Sequence, residues 1–264
     1  YELLTILHKD LQRSKPDHIA ITGDLTQIGL TGEFKTAHEW LQTLGTADKV
    51  TVIPGNHDTY VKTGWSATFP HWLDYMIGDG HDQPAEFIDS LNGLFPTLRV
   101  RNQIALIGIN TAYPCAPHLA TGNIGCDQLN KLEIILKHLS QRHLFRIILI
   151  HHPPVHGVVS RRKSLTDAAS LRTMLERYGA ELVLFGHAHR TSQNTLKTPS
   201  GLIPAMGAPS ISSLGPQAER LSRYYLYTIF SAAAGWKVHR EERVFSLELQ
   251  RFISDRQEDF SFPA

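Results

Sequence analysis

Four short polar clusters carry the residue types that could do chemistry together: Gly23-Asp24, Gly55-Asn56-His57-Asp58, His151-His152-Pro153-Pro154 and Gly186-His187-Ala188-His189. Their Asp, Asn and His side chains make a mixed oxygen and nitrogen donor set without thiolate. Such a set suits Mn, Fe or Zn better than a structural cysteine-zinc site does. Glycine precedes the first donor in three of the clusters, where the backbone can turn sharply and approach an ion closely. Histidines at i and i+2, as in His187 and His189, can serve two different ions from one loop, so the set suits a dinuclear site. Taken alone, each residue reads more blandly: Asp24 caps a turn, and a single histidine at a strand end is solvated. Four such clusters in order carry the argument.

Each cluster follows a short apolar, β-branched run, at 18–22, 49–53, 145–150 and 181–185. These runs read as buried strands ending at Gly or His-Pro breaks. The clusters therefore sit at carboxyl ends of strands, the edge of an α/β sheet where ligands bind. Between the strands the spacing predicts helices. Residues 1–13 place Leu3, Leu4, Leu7 and Leu11 on one face with Glu2, Lys9, Asp10 and Gln12 elsewhere. Thr31 can cap a helix to about Gly45 with Phe34, Ala37, Trp40, Leu41 and Leu44 inward. Asp127 to Gln141 and Ala168 to Tyr178 complete the set, the last ended by Gly179. The alternation implies parallel strands with helical crossovers.

Residues 59–97 break that rhythm. Trp65, Phe69, His71, Trp72, Tyr75 and Phe87 are interspersed with the polar Gly78-Asp79-Gly80-His81-Asp82, which reads as a compact insertion overhanging the site. Arg99-Val100 and Ile104 to Ile109 read as a hairpin that starts a second sheet. Beyond His189, the runs 202–206, 223–230, 235–239 and 243–247 read as an antiparallel meander completing that sheet, and the tail from Arg251 shows no pattern. The run Arg161-Arg162-Lys163 follows the His151 cluster and is a candidate for contact with a substrate phosphate.

At 264 residues, 42% hydrophobic and 19% charged, the chain is long enough for one large α/β domain. A net charge of +1 argues against a broad nucleic-acid-binding surface. Cys115 and Cys126 are the only cysteines, so disulfides are not the main staple and a reducing, cytoplasmic location is expected. No apolar stretch reaches the ~18 residues of a membrane span. Residue 1 is Tyr and opens mid-helix, so residues upstream of it are expected in the whole protein.

In that order, Gly-Asp, Gly-Asn-His-Asp, His-His-Pro-Pro and Gly-His-Ala-His resemble the motifs of the calcineurin-like metallophosphoesterase superfamily. Pro16-Asp17-His18-Ile19 leading to Thr22-Gly23-Asp24-Leu25-Thr26 is similar to bacterial members related to class III cyclic nucleotide phosphodiesterases. The resemblance reaches Ile211. It implies a four-layer α/β/β/α sandwich, two mixed sheets flanked by helices, as a single domain over 1–264. It also implies two divalent ions, Mn, Fe or Zn, at the strand ends. Asp24 would bridge them; Asn56, His151 and His187 would complete one, and His189 would bind the other. His151 is preferred over His152 because it immediately follows the strand. His57 would be a substrate-phosphate ligand or proton donor, and Asp58 would orient its imidazole. Asn56, His57, Arg161 and Arg162 would meet the substrate. The superfamily's opening Asp-x-His motif has no counterpart before Asp24, since His8-Lys9-Asp10 runs in the wrong order within a helix.

The implied activity is hydrolysis of a small, cyclic nucleotide-like phosphodiester through a bridging hydroxide. The implied partner is that small-molecule substrate, with no membrane and no nucleic acid, and a homodimer is left open. Two other readings stand beside it. One is a nuclease or sugar-nucleotide pyrophosphohydrolase on the same site, and the other a non-catalytic binding module that keeps the fold.

Overall fold

The computed structural model describes residues 2–61, 63–80, 88–116, 118–199, 201–215, 217–233 and 235–263. The chain divides into two compact units, one of Tyr1–Asp17, Ala188–Ser192 and Gly207–Ala264, the other of His18–His187 and Gln193–Met206.

In the larger unit the apolar runs become parallel strands. β1 (Ile19–Ile21) pairs with β2 (Val50–Val52), Ile19 opposite Val50 and Ile21 opposite Val52. The crossover between them is α2 (Thr31–Leu44), which buries Phe34, Ala37 and Leu41 at the spacing of one helical face. Thr31 is the first helical residue rather than the cap. The helix start is held instead by Glu33, whose carboxylate accepts from the backbone N–H of Gln27, Ile28 and Leu30 at 3.2, 3.2 and 2.9 Å. A glutamate at that position can reach back to the orphan donors of the entering chain, which a threonine one step inside the helix cannot.

β3 (Thr97–Arg101) and β4 (Ile104–Ile109) form the expected hairpin. They lie in a six-stranded sheet of order β3-β4-β5-β6-β8-β7 with β5 (Phe145–Ile150), β6 (Leu182–Phe185), β7 (Ser192–Thr198) and β8 (Gly201–Gly207). β4, β5 and β6 are parallel, Ile109 opposite Ile150 and Ile150 opposite Phe185, so their carboxyl ends fall level. α5 (Cys126–Leu139) and α6 (Ala168–Tyr178) are the crossovers and bury Leu132, Leu136, Leu171 and Leu175.

The aromatics of 65–76, expected to overhang the site, serve α2 instead. Phe69, Trp72 and Tyr75 are buried, and Trp72 stacks on Phe34 at 4.3 Å while its indole N–H donates to the Phe34 carbonyl at 3.0 Å. Two short helices, α3 (Leu73–Met76) and α4 (Leu91–Leu94), lie in this stretch. Arg99, 3% exposed, ties it down by donating to the carbonyls of Asp74, Ile77, Ala47 and Val50. His81, Asp82 and Phe87 lie outside the described residues.

The smaller unit joins α1 (Glu2–Ser14) to three long antiparallel strands, β9 (Arg223–Ala232), β10 (Gly235–Ser246) and β11 (Arg251–Pro263), in the order β11-β10-β9. The expected meander is thus redistributed: 202–206 joins the six-stranded sheet, while the later strands form a sheet of their own. Runs 235–239 and 243–247 fuse into one strand because the charges between them are paired. Arg240 meets Glu258 at 2.7 Å, and Glu242 meets Arg223. Asp10, expected on the outer side of the first helix, is buried and accepts from the Arg243 guanidinium at 2.8 Å and the Tyr224 hydroxyl at 2.5 Å. Burial of a carboxylate is tolerated when it is paired in this way.

Candidate metal centre

The carboxyl ends of β1, β2, β5 and β6 bring Asp24, Asn56, His151 and His187 into one part of the larger unit. The approach is close enough to require glycine. A Cβ on Gly23, which has φ +95°, would lie 2.6 Å from the Gly55 nitrogen and 2.7 Å from His151 Nδ1. One on Gly55 would lie 2.5 Å from the Asp24 nitrogen. Asp24 and His187 themselves adopt φ of 58° and 62°. Left-handed backbone at non-glycine residues costs energy and persists where the surroundings over-determine it.

The hydrogen bonds fix which atoms face inward. His151 Nδ1–H donates to the Thr22 carbonyl at 2.7 Å, so Nε2 is the nitrogen turned into the site. It faces two oxygens, Asn56 Oδ1 at 3.0 Å and Asp24 Oδ2 at 3.3 Å. A positive charge among these three atoms is stabilised, whether as a proton on Nε2 or as a cation that takes its place. Although burial opposes a charge on His151, the Asp24 carboxylate outweighs it and raises the imidazole pKa. Burial likewise opposes the charge on Asp24, yet His151 holds its carboxyl below the ordinary range.

His187 Nε2–H donates to the Lys163 carbonyl at 2.9 Å, while its Nδ1 is buried with no hydrogen-bond partner among the described residues. Burial, helped by His151, lowers its pKa to about 3, so the ring is neutral with an orphaned lone pair. A buried acceptor without a donor is costly unless something else meets it. These residues fit a divalent ion. His152 differs: its Nε2–H donates to the Ala120 carbonyl at 3.2 Å and its Nδ1 accepts from the Thr111 hydroxyl at 2.7 Å, so both nitrogens are satisfied by the protein.

The expected contact between Asp58 and the His57 ring is replaced. Asp58 is buried and accepts from the backbone N–H of Gly55, Asp24 and Thr26 and from the Thr26 hydroxyl, at 2.8 to 3.0 Å. It clamps the two donor loops together. Burial and the neighbouring Asp24 push its carboxyl up to about 6. The His57 imidazole is held by the Gln27 carbonyl, 2.6 Å from Nδ1, and the His57 N–H donates to Asp24 Oδ1 at 3.0 Å.

Arg161 and Arg162 have exposed side chains in a short turn, Arg161–Lys163, whose backbone supplies the carbonyl for His187. His189 lies two residues beyond His187, at φ 51°, in the segment Ala188–Ser192 of the smaller unit. Tyr60 and the carbonyls of Thr22, Gln27 and Lys163 escaped the sequence reading. A main-chain oxygen leaves no signal in residue type, and Tyr60 stands outside any motif.

Among known proteins, the chain is 27% identical over 71% of its length to "Probable glycerophosphodiester phosphodiesterase" of Arcobacter nitrofigilis, covering 62% of that protein. It is 24% identical over 80% of its length to "Probable cyclic nucleotide phosphodiesterase" of a Synechococcus species, covering 71% of it. The chain thus spans 62% and 71% of the lengths of these relatives. Its structure resembles that of a dimetal phosphatase from Danio rerio with a TM-score of 0.62 at 13% identity, over 96% of this chain and 88% of that one. GAP50, the anchor in the inner membrane complex of Plasmodium, matches with a TM-score of 0.53 at 12% identity, over 100% and 84% of the two chains. These likenesses show the α/β sandwich of metallophosphoesterases as the fold. The calcineurin-like phosphoesterase pattern matches residues 1–191, and the chain belongs to that family.

Proposed function

We propose that this chain is a metal-dependent phosphodiesterase that hydrolyses a small, cyclic nucleotide-like phosphodiester. The observation that carries the reading is the convergence of Asp24 Oδ2, Asn56 Oδ1 and His151 Nε2, with the His187 ring, whose buried Nδ1 has no hydrogen-bond partner among the described residues, 5.1 Å from the His151 ring. The two relatives, one named for glycerophosphodiesters and the other for cyclic nucleotides, support the substrate class.

Asp24, Asn56, His151 and His187 would hold the ion. A divalent cation there supplies Lewis-acid activation of water and neutralises charge on the phosphoryl oxygens. A second ion, and with it a dinuclear centre, is assigned from sequence alone. His57 handles the leaving group. In the imidazolium form both ring nitrogens carry hydrogen: Nδ1–H stays on the Gln27 carbonyl, and Nε2–H passes to the departing oxygen, leaving the ring neutral. Asp58 keeps the loops of Asp24 and Asn56 in register. Arg161 and Arg162 attract the substrate's phosphate from their exposed turn.

The test is Mn²⁺-dependent hydrolysis of bis(p-nitrophenyl) phosphate by this chain, with p-nitrophenyl phosphate beside it. Diester turnover exceeding monoester turnover, and falling ~10²–10⁴-fold in His57→Ala while Mn²⁺ affinity is kept, is the expected result. Undiminished turnover in His57→Ala removes its role, and absence of metal-dependent turnover removes the enzymatic reading.

A further inference from the structure

The Asn56 side chain is 1% exposed, so both ends of its amide need a partner inside the protein. Its oxygen is turned toward His151 Nε2 at 3.0 Å, and its NH₂ group donates to the Tyr60 hydroxyl at 2.5 Å. His151 Nδ1–H is committed to the Thr22 carbonyl, so Nε2 is the nitrogen that the Asn56 amide meets. An amide rotated by half a turn would turn its NH₂ inward and present no oxygen to an ion. Holding the oxygen on the ion side therefore requires an acceptor for the NH₂ on the other side, and Tyr60 Oη is that acceptor. Tyr60 sits four residues on, past the turn His57–Thr59, with its ring 4.6 Å from the His57 ring.

We propose that Tyr60 is the positioning residue of the metal centre: it accepts the Asn56 amide hydrogen and so keeps Asn56 Oδ1 available as a ligand. The inference rests on the metal-binding reading above and adds a residue to it. Removing the hydroxyl leaves a buried N–H unpaired whenever Asn56 is bound to an ion. Without the ion, nothing requires the oxygen to face inward and the amide can turn to other partners. The penalty therefore weighs on the bound state and appears as lost affinity. Partners that orient metal ligands typically change affinity ~10–100-fold.

The distinguishing feature is the dependence on an amide. If residue 56 is a carboxylate, both of its atoms are oxygens and there is no NH₂ to satisfy. Tyr60→Phe should then cost nothing through this route. A merely structural role for Tyr60 would cost the same in either background.

The experiment is a Mn²⁺ titration of this chain, without substrate, following free Mn²⁺ by electron paramagnetic resonance. It compares wild type, Tyr60→Phe, Asn56→Asp and the double variant. Tyr60→Phe keeps the ring against His57, and its fold is checked by circular dichroism. The expected result is about a tenfold weaker Kd for Tyr60→Phe than for wild type, and a difference within about twofold between Asn56→Asp and the double variant. Equal affinity in wild type and Tyr60→Phe, or the same tenfold loss in both backgrounds, overturns the assignment and leaves the metal centre standing. A wild-type chain that leaves all Mn²⁺ free overturns the metal centre, and the assignment with it.

Discussion

His151 and His152 are adjacent, both are buried, and both have a short strand of Ile and Leu behind them, yet their surroundings give them opposite chemistry. Burial, with His151 and His187 nearby, drives the His152 pKa well below the usual imidazole value, and the two hydrogen bonds to Ala120 and Thr111 complete a neutral ring. That ring packs on Gly122, where a Cβ would collide with it. His152 therefore belongs to the core, and His151, with Nε2 facing Asp24 and Asn56, belongs to the site. The expected outcome is a separation of effects. His152→Ala should lower stability by about 2–3 kcal/mol in urea denaturation, through the cavity and the unpaired Thr111 hydroxyl, while Mn²⁺ binding survives. His151→Ala should abolish measurable Mn²⁺ binding by the same titration. Loss of Mn²⁺ binding in both variants would place His152 among the ligands.

The loop between β1 and α2 shows how an element far from the ion reaches it. Glu33 holds the N–H groups of Gln27, Ile28 and Leu30, and the Gln27 carbonyl in turn holds the His57 ring. Burial alone would raise the Glu33 carboxyl, but the N–H donors of Leu30, Ile28 and Gln27 outweigh it and lower its pKa. A carboxyl depressed on folding stabilises above its unfolded pKa, and that contribution is lost as the pH falls through the folded value. Glu33→Ala should thus cost about 1 kcal/mol of stability at neutral pH, as loss of a helix cap does, and less below pH ~4. Its kcat should fall while Mn²⁺ affinity holds, because His57 loosens and the metal residues do not; a fall in both would mean that the loop also supports Asp24. The same physics explains what was legible in the sequence. Strands β5 and β6 read clearly because parallel strands buried on both faces are continuous apolar runs. β11 did not, since Ser254-Asp255-Arg256-Gln257-Glu258-Asp259 has no apolar alternation and becomes strand only through its pairing with β10. Arg240 and Glu242 looked like a break in β10 because the partners that permit their burial, Glu258 and Arg223, are distant in sequence. At the site, the side-chain donors were visible by type, whereas the Thr22, Gln27 and Lys163 carbonyls that aim them were not, since every residue carries one.

Across the whole chain, no described helix is long and apolar enough to cross a membrane, and the net charge is only +1. A specific site for a divalent ion comes from the folded arrangement. Asp24, Asn56, His151 and His187 come from four strand ends between residues 24 and 187, so an unfolded chain holds their donor atoms apart. An ion that binds the folded chain alone adds stability by mass action, about 2.7 kcal/mol at a hundred times Kd. For a chain of this size that corresponds to a rise of roughly 5–10 °C in melting temperature. Excess Mn²⁺ should produce that rise, a chelator should reverse it, and amide exchange should slow at 22–27, 54–58, 150–152 and 186–187. The control that gives the result meaning is His187→Ala, which removes a neutral ring whose buried Nδ1 has no hydrogen-bond partner among the described residues. Losing that nitrogen should shrink the Mn²⁺-induced rise sharply while leaving the ion-free melting temperature nearly as it was, since the cavity and the removed orphan offset each other. An ion held loosely by surface carboxylates would instead raise wild type and variant alike. Equal shifts in the two would therefore show that the cluster at the strand ends is not where the ion binds.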